Sequence, residues 1–126
     1  MPSSRPYQIT AAVFALLSAG HTFTARKWTN DPQFKDLSKV VKAYARAGWY
    51  QGSVFLLIMA LINYRWSRLV PQGRLTDPVD RAIAALNTLL LWATAAWYTK
   101  NGIRDTGAVV GASGVLQAWA AFWKRS

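Results

Sequence analysis

Ala47–Tyr64 reads AGWYQGSVFLLIMALINY, and it contains no Lys, Arg, Asp or Glu. A helix over this stretch would have no charged face to show to water, which an amphipathic helix of a soluble protein normally has. Three more stretches share the property: Gln8–Ala25 (QITAAVFALLSAGHTFTA), Ala82–Thr99 (AIAALNTLLLWATAAWYT) and Gly107–Trp123 (GAVVGASGVLQAWAAFW). Each is close to the roughly 17–25 residues that cross a bilayer as a helix. Aromatic residues with a nearby cation sit at the block ends: Tyr7 with Arg5, Trp28 with Arg26 and Lys27, Trp49 and Tyr50 with Arg46, Tyr64 and Trp66 with Arg65, Trp97 and Tyr98 with Lys100, Trp123 with Lys124. Amphipathic rings and snorkelling cations collect at the membrane–water boundary. The expected fold is therefore all-α: an integral membrane four-helix bundle, up-down-up-down, with spans at about 8–26, 47–64, 81–99 and 107–123. The first block is read as a retained span rather than a cleaved leader.

Composition supports one such domain in 126 residues. Hydrophobic residues make up 52% and charged residues only 16%, against roughly 25% charged in a soluble domain. Intrinsic disorder is excluded by so much apolar and aromatic matter. Cysteine is absent and there is one histidine, which excludes disulfide scaffolds, thiolate chemistry and multi-histidine metal sites. No phosphate-binding glycine loop or paired intramembrane carboxylates suggest a cofactor or metal, so none is expected. The formal charge is +10, and all five acids are Asp. The cations fall singly at span ends, which suits anionic lipid headgroups and argues against a nucleic-acid partner. Arg5, Arg65, Arg68, Arg74, Arg81, Lys124 and Arg125 would share one side. Arg26, Lys27, Lys35, Lys39, Lys42, Arg46, Lys100 and Arg104 would share the other. That near balance fixes no orientation.

The connectors carry helix punctuation. Asp31-Pro32 and Asp77-Pro78 read as an N-cap followed by proline at the first helical position, with Asp80 in the first turn. Asn101-Gly102 reads as a helix stop, and Asp105 or Thr106 as a cap for the last helix. Phe34, Leu37, Val40, Val41 and Tyr44 share one helical face, with Lys35, Lys39, Lys42 and Arg46 opposite. This predicts a short amphipathic interfacial helix between spans 1 and 2, running into span 2. Arg65–Thr76, with Pro71 and Gly73, reads as a loop.

Polar groups inside hydrocarbon are costly unless they face a partner or a cavity. Threading the spans sorts them into two layers. Toward the first and third connectors lie His21, Arg46, Tyr50, Gln51, Thr94, Tyr98, Asn101 and Asp105. Toward the other side lie Gln8, Asn63, Asn87, Gln117, Asp77 and Asp80. Only the first layer contains an imidazole, together with phenols, a cation and a carboxylate, which is a workable acid–base set. The expected catalytic residues are His21, Asp105, Tyr50, Tyr98 and Arg46, and the expected substrate-binding residues are Gln51, Trp49, Thr94, Asn101 and Trp92. His21 and Gln51 lie at similar depth and are expected to meet. Each also has a duller use: helix glue for His21 and Gln51, anchoring for the tyrosines, snorkelling for Arg46 and capping for Asp105. Gly107-x-x-x-Gly111 fits a small-residue packing pattern.

Three stretches carry a resemblance: LLSAGHTFTARKW (Leu16–Trp28), VVKAYARAGWYQGSVFLLIMALINYRW (Val40–Trp66) and IAALNTLLLWATAAWYTKNG (Ile83–Gly102). In size, span number and texture the chain resembles the small four-span membrane proteins of fungal polyketide and meroterpenoid pathways. Some of those are epoxide hydrolases or cyclases of the citreoviridin and aurovertin type, and others are anthrone-oxygenase-like. A fainter likeness is to the four-span scaffold that tethers sterol-pathway enzymes in the endoplasmic reticulum. The resemblance implies a cofactor-independent enzyme in the endoplasmic reticulum membrane, opening an epoxide on a lipophilic small molecule by hydrolysis or cyclisation. It implies two alternatives: a non-catalytic scaffold or lipid-binding subunit, and a cofactor-free anthrone-type oxygenase. Thin walls of four short helices would favour a homo-oligomer. No residue role follows from the resemblance.

Overall fold

The computed structural model describes residues 5–70 and 74–123, and among them there is no strand. Five helices follow one another: α1 (Arg5–Thr29), α2 (Pro32–Lys35), α3 (Lys39–Leu69), α4 (Pro78–Lys100) and α5 (Arg104–Phe122). The punctuation reads as expected at most boundaries. The Asp31 carboxylate accepts from the Gln33 amide, and the Asp77 carboxylate accepts from the Val79 and Asp80 amides. Asn101 closes α4, and Gly102 takes φ +82°, the left-handed conformation that favours glycine after a helix. α5 differs: it starts after Ile103 with no side-chain cap, so neither Asp105 nor Thr106 caps it.

α1 packs along α3, α4 along α5, and α1 also touches α5. Both close pairs are antiparallel. Tyr7 meets Trp66 edge-on near one end of α1 and α3, and His21 meets Ser53 near the other. Inward positions recur with a seven-residue beat: Tyr7, Phe14, His21 and Trp28 follow one another along α1, and Tyr7 and Phe14 are fully buried. A repeat of seven keeps one seam facing its neighbour as helices coil. α5 lies close to α4 because of its glycines. A Cβ at Gly107 would fall on Thr99 Oγ1 and 3.0 Å from the Ala95 carbonyl oxygen.

The core has two apolar clusters. One holds Tyr7, Trp66, Leu75, Ala84, Ala120 and Ala121, and the other holds Phe14, Met59, Ala60 and Leu91. Between helices α3, α4 and α5 lies a buried amide knot. Asn63 Nδ2 donates to Gln117 Oε1 at 2.9 Å, Gln117 Nε2 returns a bond to Asn63 Oδ1 at 3.1 Å, and Asn87 Nδ2 donates to the same Gln117 oxygen at 3.0 Å. The polar layer opposite His21 is thus real for Asn63, Asn87 and Gln117, whereas Gln8 is exposed.

Two helices, α3 and α4, are long and apolar enough to cross a membrane. Only 17% and 22% of their apolar windows are buried inside the chain. A core helix of a soluble protein would be mostly covered, so these two present wide apolar faces outward.

The expected amphipathic stretch runs into the second apolar block as part of α3 from Lys39 onward, but its first residues are set apart. The stretch breaks into the single turn α2 and the start of α3, because Ser38 Oγ accepts from the Val41 amide and begins a new helix there. The 31 residues of α3 span about 46 Å, more than the roughly 30 Å of hydrocarbon, so its first turns project beyond the apolar stretch. The Lys42 ammonium donates to the Lys35 carbonyl and ties α2 to them. Tyr7 and Trp66 are not belt residues but core, at 0% and 2% exposure, while Trp97 and Trp123 are exposed. The pairing of Trp123 with Lys124, and Pro71 and Gly73, lie outside the described residues.

Candidate functional site

At the end of the bundle near the α1–α2 and α4–α5 connectors, α1 and α3 are clasped by three hydrogen bonds and a ring stack. Ser18 Oγ donates to the Ser53 carbonyl at 2.7 Å. The Trp49 indole N–H donates to the His21 carbonyl at 2.7 Å. His21 Nδ1 and Ser53 Oγ share a 2.9 Å hydrogen bond. The imidazole and the Trp49 indole stack with centroids 3.9 Å apart and planes 11° apart. Such close approach requires Gly52, where a Cβ would stand 3.0 Å from His21 Cε1. The aromatic pile continues outward, since Trp28 meets Trp49 and Phe34 edge-on. Trp28 and Trp49 are therefore interhelical wedges before they are anchors.

This clasp forms one wall of a pocket of about 460 Å³ between α1, α3, α4 and α5. Small-ligand pockets commonly hold about 300–1,000 Å³. His21, Trp49, Thr94, Tyr98 and Asp105 all line it, as do Thr24 and Thr106. Most of the remaining lining is apolar, including Leu17, Phe55, Leu56, Leu91 and Val110. With Nδ1 held by Ser53, Nε2 is the imidazole nitrogen left for a guest, and among the described residues no hydrogen bond to it is found. Asp105 is exposed in the first turn of α5, and no ion pair or hydrogen bond to its carboxylate is found among the described residues.

The other expected site residues stand elsewhere. Tyr50 and Gln51 lie on the outer face of α3, along a shallow groove with Ala47, Val54 and Ile58, so Gln51 does not meet His21. The Arg46 guanidinium lies 5.7 Å above the Phe34 ring, outside the pocket. Asn101 donates back to the Trp97 carbonyl at 2.8 Å and serves the end of α4. The Trp92 ring fills the space beside Gly114, where a Cβ would meet it at 2.6 Å. The physical reason is rotation about the helix axis. Sequence depth placed these residues at the correct level, but each successive residue turns by about 100°. Ser53, which holds the imidazole, was passed over as a site residue. The signal for it was present: Trp49, Gly52, Ser53 and Leu56 follow the spacing of a single helix face.

No cluster of three metal-ligating side chains exists among the described residues. The chain matches no protein family, no curated protein and no solved structure.

Proposed function

We propose that this chain is an integral membrane protein whose four long helices all cross the bilayer, and that its pocket binds a lipophilic small molecule and opens an epoxide. Three observations support the membrane reading. α1 and α5 pack along the two candidate spans. Both carry exposed large apolar side chains, among them Leu16, Phe23, Val109 and Val115. Several of their hydroxyl groups are satisfied within the helix, as where Thr22 donates to the Ser18 carbonyl and Ser113 to the Val109 carbonyl. Backbone-directed bonding of that kind is what a hydroxyl needs where water is absent. The endoplasmic reticulum is the membrane proposed for it.

The observation that carries the chemistry is the convergence of His21, Tyr98 and Asp105 on one largely apolar pocket. Epoxide opening needs a hydrogen-bond donor at the ring oxygen and a base for the nucleophile. In this reading the Tyr98 hydroxyl donates to the ring oxygen as its C–O bond breaks. Water, or a hydroxyl of the substrate itself, forms the new C–O bond and gives its proton to His21 Nε2. The Asp105 carboxylate offsets the charge of the resulting imidazolium, which then returns the proton to the alkoxide. Hydrolysis yields a diol and internal attack yields a cyclic ether; neither changes the total oxidation level, so no redox partner is required. The Ser53 hydrogen bond and the Trp49 stack fix the ring's plane.

The test is conversion of a long-chain epoxide by the purified chain in lipid nanodiscs, in water enriched with oxygen-18. One labelled oxygen in the diol, lost in His21→Ala, supports the reading. Unchanged turnover in that variant overturns it. The predominantly apolar lining also suits a non-catalytic lipid-binding subunit, which tight binding of the epoxide with no diol would establish.

A further inference from the structure

The pocket lining changes character at the same level on every helix. On α1 it runs from Leu17 to His21, on α4 from Leu91 to Tyr98, and on α5 from Val110 to Asp105. In each case the polar member is nearer the α1–α2 and α4–α5 connectors. α3 agrees, with Trp49 and Gly52 at that level and Phe55 and Leu56 below. The apolar end is closed by the buried cluster of Phe14, Met59 and Leu91, against which Leu17, Phe55 and Val110 pack. The pocket thus has one polar end and one blind apolar end. Leu16, Leu90 and Val109 also line it and are exposed, so its side is open to whatever surrounds the bundle.

We infer that the pocket takes a one-ended amphiphile, oxygenated head toward the connectors and hydrocarbon tail toward the blind end, and that it selects epoxides at or near a chain end over epoxides at mid-chain. This rests on the pocket being the ligand site proposed above. A mid-chain ring placed at His21 and Tyr98 carries two arms that leave it in opposite directions. One must either run past Asp105 toward Lys100 at the end of α4 and Arg104 at the start of α5, or fold back beside the other to reach the side opening. Apolar surface left in the headgroup layer is unfavourable in proportion to its area. A terminal ring leaves a single tail, which fills the apolar half and continues out through the side opening at Leu16, Leu90 and Val109.

The test compares two hexadecane oxides of identical formula, one with the ring at the chain end and one with it at mid-chain, given to the purified chain in nanodiscs. The terminal isomer is expected to show kcat/KM higher by about tenfold or more, the scale on which a hydrophobic pocket discriminates. Equal or inverted values overturn the selectivity. A terminal epoxide carrying a photoreactive diazirine at its tail end separates this inference from the catalytic reading. Labelling of Leu17 and Leu91 without diol formation supports the orientation and overturns the hydrolysis. Diol formation with labels at Thr24 or Thr106 instead overturns the orientation alone. Labels confined to outward-facing residues such as Val54 and Val115 overturn the pocket as the binding site.

Discussion

The imidazole of His21 lies flat against the indole of Trp49, 3.9 Å between centroids, while the same indole donates its N–H to the His21 carbonyl. One side chain of α3 therefore holds both the backbone and the ring of one residue of α1. With Ser53 on Nδ1, the ring has little freedom left, and the pocket meets it in a defined orientation.

Ser53→Ala removes the partner of Nδ1 without touching the pocket lining. The variant should fold, bind epoxide with a nearly unchanged KM and lose kcat, because an unheld imidazole samples other tilts. The split between KM and kcat is the measurement. A purely structural Ser53 would instead lower the unfolding temperature in detergent and leave kcat per folded molecule intact.

Gly52→Val places new carbon within about 3.0 Å of His21 Cε1, so the imidazole must shift on the indole face. Turnover should fall further than in Ser53→Ala. Trp49 fluorescence should change as the stack is disturbed. An unchanged spectrum would show that the close approach is absent.

Gln117→Leu removes the acceptor of Asn87 Nδ2 and the donor to Asn63 Oδ1 at once, while Asn63 Nδ2 keeps the Met59 carbonyl. Interhelical hydrogen bonds in membranes average about 0.6 kcal/mol and reach about 1.7, and orphaned amides add to the loss. A destabilisation of about 1–2 kcal/mol is expected, seen as a lower unfolding temperature in detergent, with the pocket chemistry intact. A stabilised variant would mean that the knot is not formed.

Arg46→Ala and Tyr50→Phe should leave turnover unchanged, since the guanidinium sits over Phe34 and the phenol faces outward on α3. Asp105→Asn should impair turnover, because that carboxylate lines the pocket and caps nothing. The three variants assayed together separate position in the bundle from mere depth.

These contrasts mark how far the sequence could be read. Charge-free blocks, Asp-Pro caps and the Asn101-Gly102 stop locate α1, α4 and α5 to within a few residues, because those signals are local. α3 instead extends well beyond its charge-free block at both ends, through Arg65–Leu69 where a loop is expected. Depth was legible too: His21, Thr94, Tyr98 and Asp105 meet at one level, and Asn63, Asn87 and Gln117 at another. Rotation was harder, because helices without charged residues have no polar stripe to reveal which way they face. Gln51 and Ser53 are equally plausible from depth alone, and only the partner helix decides between them. Trp66 was misread for a related reason: an indole near a span end suits a belt and a core equally well, and Tyr7 across the interface settled it.

The absence of cysteine makes the central claim directly testable. Single cysteines at Asn30, Thr76 and Asn101 can be probed in sealed vesicles with a membrane-impermeant maleimide. Four crossing helices predict that Asn30→Cys and Asn101→Cys react from one side and Thr76→Cys only from the other. Reaction of all three from the same side, or release of the chain into water by alkaline carbonate, would contradict the account.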